Sequence, residues 1–389
     1  MKILYDHQIF STQKYGGISR YFFELITHLN KIDSVDYKLS LEFTKNVYIL
    51  NDPQFRVKRD TKTDNFFFGL QFRGKARLFD TLGRISIVDN PQIKNLCHTM
   101  DLLKDSDFDV FHPTSFGDYF VNHLKNKPFV LTVYDMIHEV YSDRPFEKSY
   151  RQLIERKREL IRRASHVIAI SENTKRDIVR MCGVDESKIT VIYLANSLDP
   201  GRTEKTGLSI PDNYMLFVGD RHAYKNFDFF VTSIQPLLSQ NRDLFLVCAG
   251  SIGFTPKERS LFGQHKLTKQ IIHVPFGNDG VLTNLYRNAA CFVYPTLYEG
   301  FGIPVLEAFA CGCPAVISNT SSLPEVAGDA GMYFNPTDPD SILGAIKRAI
   351  YDTEFKNNMR KKAIDQLKKF SWEKCARETV DVYKNVIRI

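Results

Sequence analysis

The chain alternates short β-branched or aromatic runs with longer stretches whose apolar residues fall at helical spacing, and it does so in two successive series. That alternation constrains the fold most, because a strand followed by a crossover helix returns beside a parallel neighbour. In the first series the strand candidates are Lys2–Tyr5, Tyr37–Leu41, Val110–His112, Phe129–Val133, His166–Ile170 and Thr190–Ile192. Helical patterns cover Phe146–Ala164 and Ser171–Met181, the second opening on an N-cap serine. Asn196–Asn213, rich in Asp, Gly, Pro, Ser and Thr, reads as a linker. The second series places strands at Tyr214–Val218, Leu244–Ala249, Ile271–Val274, Cys291–Tyr294 and Ala315–Ser318. Its helices are expected over Lys225–Leu238, Pro256–Lys269, Val281–Ala289, Pro304–Ala310 and Ser341–Tyr351. Residues 355–389 continue as charged amphipathic helix, broken near Phe370–Trp372. The pattern predicts an α/β protein of two Rossmann-like parallel-sheet domains facing a cleft, residues 1–195 and 196–371.

Composition narrows the class. With 389 residues, 43% apolar and 25% charged, the chain is an ordinary globular protein, which excludes disordered, collagenous and disulfide-stapled architectures. It has no apolar run long enough to span a bilayer, and Lys2, Asp6 and His7 stand where a signal peptide needs its apolar core. A cytoplasmic protein is expected. The net charge of +7 suits a phosphorylated ligand or an anionic surface better than a nucleic-acid reader. Seven cysteines, an odd number mostly inside apolar runs, read as reduced core residues. Only Cys311 and Cys313 are close, with no second Cys/His pair nearby, so no metal site is expected.

Four segments carry candidate chemistry. Gly16-Gly17, between the first strand and an apolar helix, permits close backbone approach to a phosphate at a helix N-terminus, or simply makes a tight turn. Arg221 and Lys225 follow the strand Tyr214–Val218 and form either an anion clamp or a solvated helix start. In Glu299-Gly300-Phe301-Gly302-Ile303-Pro304-Val305-Leu306-Glu307, two carboxylates flank glycines and a helix-initiating proline. Acceptors with amide donors between them suit sugar and ribose hydroxyls. On the opposite half, Asp109–Thr114 and Thr132–His138 end two strands. They offer His112, Asp135 and His138 as proton acceptors, although a lone strand-end histidine is more often a packed structural residue.

Glu299 and Glu307, with seven residues between them, resemble the E-x7-E motif of retaining glycosyltransferases of family four, which have the GT-B fold. Gly16-Gly17 resembles the family's N-terminal glycine loop, and Val218–Asn226 its strand-then-Arg/Lys phosphate segment. Ala169–Thr174, Ala310–Val316 and Leu323–Val326 resemble further stretches in the family's order. Among subgroups the chain looks closest to O-antigen-type mannosyltransferases. The resemblance implies that Arg221 and Lys225 grip the diphosphate of a GDP- or UDP-linked sugar, needing no cofactor or metal. It implies that Glu307 holds the ribose hydroxyls, while Glu299, Gly300 and the amides of Phe301, Gly302 and Ile303 hold the sugar. It places the base near Phe276 and carries the helix 372–389 back to the N-terminal, acceptor-side domain. The family often has His-Asp where this chain has Tyr134-Asp135.

The acceptor is expected to be a saccharide or lipid-linked glycan of surface polysaccharide. Phe66–Arg77 is a basic-aromatic stretch suited to contact with anionic headgroups. Arg151–Arg163 reads instead as an amphipathic helix with an inner stripe of Leu153, Ile154, Leu160 and Ile161. Two rival readings are another GT-B chemistry, such as a nucleotide-sugar epimerase or hydrolase, and a non-catalytic sugar-nucleotide-binding subunit.

Overall fold

The computed structural model describes residues 1–62, 82, 90–143, 150–205, 207–275 and 278–388. The chain divides into two compact units. The first comprises Met1–Ile170, Lys175–Ile192 and Trp372–Ile389, and the second Ser171–Thr174 and Tyr193–Ser371.

The second unit is built on one parallel sheet. Its strands lie in the spatial order Ile271–Val274, Phe245–Ala249, Tyr214–Val218, Cys291–Tyr294, Ala315–Ser318, Met332–Phe334. In sequence rank this is 3-2-1-4-5-6, the doubly wound order. Leu216 pairs with Val247 on one side and Phe292 on the other, which fixes the register of the three central strands. Every residue of Tyr214–Val218 and of Cys291–Tyr294 is buried, as expected of a parallel sheet covered on both faces. The helix Phe227–Gln240 packs Phe230, Val231, Ile234 and Leu238 into the core with Phe217, Leu246 and Val293. The strand order reverses between Tyr214–Val218 and Cys291–Tyr294, and sheets of this kind bind ligands outside the carboxyl ends of such a pair.

The first unit carries two three-stranded parallel groups: Asp36–Leu39, Lys2–Tyr5, Val110–His112 and then Val130–Val133, His166–Ala169, Ile189–Val191. A parallel bridge between Phe111 and Phe129 links them. The helix Trp372–Ile387 belongs to this unit although it follows the second in sequence. A buried polar chain fastens it. The Tyr383 hydroxyl lies 2.6 Å from the Tyr5 hydroxyl and 2.6 Å from His112 Nδ1. His112 Nε2 lies 2.9 Å from Thr132 Oγ1, which meets the Tyr21 hydroxyl at 3.1 Å. Each of these groups would be costly to bury without a partner, so they specify where the helix docks.

Several element bounds differ from those read in the sequence. The Tyr37–Leu41 strand is observed at Asp36–Leu39, and the Pro256–Lys269 helix stops at Gln264. The helix expected from Lys225 starts at Phe227, because Asn226 takes a left-handed conformation (φ 58°) that separates a 3₁₀ turn, Ala223–Lys225, from it. Gln8–Thr12, Val47–Asn51, Pro91–Asp105 and Ile137–Val140 are helices of the first unit that the sequence reading did not include. The segments Phe66–Arg77 and Phe146–Lys148 lie outside the described residues.

Burial holds three imidazoles of the first unit below the ordinary histidine range: His112 down to about 3, and His7 and His166 lowered as well. The unfolded chain protonates these groups near pH 6.5, whereas the folded chain resists protonation. Their contribution to stability is therefore complete above that pH and is lost as pH falls toward the folded values. Urea midpoints measured from pH 7 to pH 4 should fall, and His112→Asn should flatten the slope by about one proton.

Candidate active site

The carboxyl end of Tyr214–Val218 leads through Gly219 to Lys225, and that of Cys291–Tyr294 leads to Glu299. The loops meet at the switch point. Lys225 Nζ donates to Glu299 Oε1 at 2.6 Å and to the Tyr294 hydroxyl at 2.8 Å. Both charged side chains are 11% exposed, so the pair is largely desolvated yet keeps an open edge. Tyr294 is wholly buried, and burial followed by the nearby Glu299 carboxylate raises its hydroxyl well above the usual phenol range. It stays a neutral partner for the ammonium.

The backbone around Glu299 is held from several sides. Its amide donates to Ser321 Oγ (2.9 Å), and Ser322 Oγ donates to the carbonyls of Glu299 (3.0 Å) and Phe301 (2.8 Å). The Tyr224 carbonyl, one residue before Lys225, accepts from the Leu297 amide (2.7 Å) and Thr296 Oγ1 (3.1 Å). Gly302 caps the helix Ile303–Ala310 at φ 108°, and a Cβ there would come within 2.6 Å of Leu323 Cδ2. Conformation and space both require glycine. Pro304, in the first helical turn, has no amide proton to leave unsatisfied. The Phe301 ring is buried between Tyr193 and Phe370, so this residue presents only backbone.

Glu307 sits one turn into that helix, half-buried, and its Oε2 accepts from the Tyr286 hydroxyl at 3.1 Å. Glu307 also adds to the effects raising Tyr294, so both carboxylates act on one tyrosine. The structure thus brings Lys225, Glu299, Glu307 and the Gly300–Ile303 backbone together. The sequence reading missed Tyr294 and Tyr286 as parts of this site. For Tyr294 the signal is a tyrosine at the carboxyl end of the apolar run Cys291–Tyr294, where a buried hydroxyl must find a partner.

Arg221 is not brought there. Its Nε donates to Glu258 Oε1 at 2.5 Å, and its Nη2 donates to the carbonyls of Ile252 and Gly253, each at 2.9 Å. The side chain is 3% exposed and is flanked by the rings of Phe254 (4.9 Å) and Phe227 (5.5 Å). Glu258 itself closes the N-terminus of Pro256–Gln264 in a capping box with Thr255. Burial would raise its carboxyl, but Arg221 and Thr255 outweigh burial and hold it below the usual range. Arg221 thereby braces the loop after Phe245–Ala249, while its Nη1 has no partner and the residue lines a cavity.

On the first unit, His112 is fully buried with both ring nitrogens engaged, which revises its expected role as a proton acceptor for a ligand. Asp135 lies half-buried just past Val130–Val133. Its Oδ1 accepts the Ile137 amide (3.0 Å), and its carbonyl accepts from Lys157, whose ammonium is ion-paired with buried Glu139 at 2.8 Å. His138 stacks on Tyr150, centroids 4.1 Å apart. Gly16 and Gly17 open the helix Gly17–Leu29, with Gly17 exposed. Phe276 lies outside the described residues.

A doubly wound sheet in a two-unit α/β chain, with a lysine–glutamate pair at its switch point, is the architecture of a GT-B glycosyltransferase. The family models agree. Glycosyltransferase Family 4 matches residues 81–198 and Glycosyl transferases group 1 matches residues 202–366. The chain belongs to glycosyltransferase family 4 and resembles the O-antigen mannosyltransferases. It is 28% identical to O-antigen chain mannosyltransferase B of Escherichia coli over 400 residues, covering 97% of this chain and 99% of the other. Among solved structures, sucrose-phosphate synthase from Thermosynechococcus elongatus superposes with a TM-score of 0.72 at 18% identity, over 100% of this chain and 99% of that one. HepE from Anabaena, solved with UDP and glucose, gives 0.70 at 15% identity, over 98% and 99%.

Removing one partner of a buried ion pair leaves the other charge unmatched, at a cost of about 3–5 kcal/mol. Arg221→Met should therefore lower unfolding stability by about that amount, read as the denaturant midpoint of the second unit. A variant as stable as the parent would return Arg221 to the list of ligand-facing cations.

Proposed function

We propose that the chain transfers a hexose, mannose by preference, from a GDP- or UDP-linked donor to a saccharide or lipid-linked glycan in surface polysaccharide synthesis. In this reading the anomeric configuration is retained, no metal ion takes part, and the protein works at the cytoplasmic face of the membrane. The single observation that carries it is the Lys225–Glu299 pair at the switch point, backed by Tyr294. The name of the Escherichia coli relative supports the choice of mannose and of the polysaccharide. Among the described residues no helix is long and apolar enough to cross a membrane, so any contact with the bilayer is peripheral in this reading.

The donor's diphosphate lies toward Lys225. Its ribose hydroxyls meet Glu307, and its sugar meets Glu299 and the backbone amides of Gly300 to Ile303. As the bond from the anomeric carbon to the leaving phosphate breaks, negative charge collects on the departing oxygen. An ammonium already fixed in place stabilises that charge more than it stabilises the intact donor, and it does so without reorganisation. The acceptor hydroxyl forms its new bond on the same face of the sugar, and its proton passes to the departing phosphate oxygen. No protein base is needed, which accords with His112 being sealed inside the first unit. Asp135 is the remaining carboxylate positioned on the acceptor side.

Lys225→Ala and Glu299→Gln should each lower transfer at least about tenfold, equivalent to roughly 1.4 kcal/mol, with circular dichroism unchanged. A radiolabelled sugar nucleotide and a glycan acceptor provide the assay, and full activity in either folded variant would defeat the assigned roles. Turnover should also persist after exhaustive EDTA treatment. An absolute requirement for Mg²⁺ would assign the leaving-group charge to a metal instead of Lys225.

A further inference from the structure

The loop that carries Glu299 is held by two segments of the second unit. One is Ser321 and Ser322, which meet the Glu299 amide and the carbonyls of Glu299 and Phe301. The other is Ser171–Thr174, which belongs to this unit although it lies far earlier in the chain. Asn173 Nδ2 donates to the Tyr298 hydroxyl (3.2 Å), and Thr174 Oγ1 donates to the Gly300 carbonyl (3.3 Å). Residues 298–301 are thus held alternately from one segment and the other.

Glu325 ties the two segments together. It stands in the short helix Leu323–Ala327, which Ser322 opens. Its Oε1 accepts the Glu172 amide (2.8 Å) and its Oε2 the Asn173 amide (3.2 Å). These amides begin the helix Glu172–Cys182, and the next, that of Thr174, donates to Ser171 Oγ (3.0 Å). First-turn amides have no partner within their own helix and must be met from outside. A carboxylate on two of them makes charge-assisted bonds at the positive end of the helix dipole. Ser171 Oγ also donates to Thr174 Oγ1 (3.0 Å), which leaves the threonine proton for the Gly300 carbonyl.

The consequence lies in the amides. In a planar trans peptide the N–H points opposite to the C=O of the same unit. Ser322, by holding the carbonyls of Glu299 and Phe301, therefore sets the directions of the Gly300 and Gly302 amides. Thr174, by holding the Gly300 carbonyl, sets that of Phe301. Gly300 has no side chain to resist rotation of this middle peptide, so the threonine bond decides its orientation. We propose that Glu325 is a positioning residue for sugar transfer: it fixes the start of Glu172–Cys182 so that Thr174 aims the Phe301 amide at the donor sugar. The inference rests on the reading in which those amides meet the sugar.

The test compares Glu325→Ala, Glu325→Gln and Thr174→Val with the parent, using the full chain. Hydrogen–deuterium exchange is read first, without any substrate. In Glu325→Ala, exchange over residues 171–176 and 297–303 should rise together by about tenfold, with the sheet strands unchanged. Glu325→Gln, whose amide oxygen accepts only one of the two bonds, should rise less. Thr174→Val keeps the side chain's shape and removes only its hydroxyl, so its rise of about fivefold should be confined to 297–303. Transfer from radiolabelled GDP-mannose and UDP-glucose is then measured beside the binding of GDP and UDP. In Glu325→Ala and Thr174→Val, kcat should fall about tenfold while nucleoside diphosphate affinity stays at the parental value, because Lys225 and Glu307 are untouched. General damage to the unit would weaken both. Unchanged exchange at 297–303, a rise spread evenly over the second unit in every variant, or a parental kcat in a variant whose loop has loosened would overturn the proposal. A parent that moves no sugar defeats the transfer reading, and exchange still decides whether Glu325 sets this loop. A parent that moves sugar while 297–303 ignore Glu325 loses only the positioning role.

Discussion

An ammonium and a carboxylate 2.6 Å apart, both nearly out of water, are the constraint on which the second unit's site depends. Isolated, either charge would be expensive to bury, and together they are tolerated because each answers the other and Tyr294 gives the ammonium a second partner. The strand order sets them there. Lys225 follows the first strand of the unit and Glu299 the fourth, and the sheet places those strands side by side. Seventy-four residues of chain separate the two groups, yet one backbone contact, Leu297 to the carbonyl of Tyr224, ties their loops directly.

Arg221 and Lys225 show how two cations four residues apart can take unlike tasks. The left-handed Asn226 ends a 3₁₀ turn just after Lys225, which directs the lysine toward the strand Cys291–Tyr294. Arg221, one 3₁₀ turn earlier, faces the helix Pro256–Gln264 and the loop preceding it. A guanidinium with several donors can join a carboxylate and two carbonyls at once, as Arg221 does. An ammonium gathers fewer partners and can exchange them more readily. The two cations are thus matched to the number of partners each has in the structure.

Most of the fold was legible because parallel strands buried on both faces must be written as unbroken apolar runs, and Tyr214–Val218 and Cys291–Tyr294 are written that way. Glu299 and Glu307 were legible for a different reason: Gly302 and Pro304 have local conformational demands visible in the sequence itself. What stayed hidden was the direction of long side chains and the identity of distant partners. Glu258, which captures Arg221, sits in a segment that the sequence marks only as helix. His112 looked available because its partner, Tyr383, lies 271 residues away on the last helix. Histidine at a strand end carries no local sign of whether it faces ligand or core.

His7 and His112 make the physical difference plain. Both follow or end a central strand of the first unit, and burial lowers both. His112 spends its two nitrogens on Tyr383 and Thr132 and becomes a fixed joint between strand and helix. His7 meets Thr99 Oγ1 through Nδ1 alone and packs beside the Tyr119 ring at the edge of a cavity, so it ties a turn to a helix where His112 ties a strand to one.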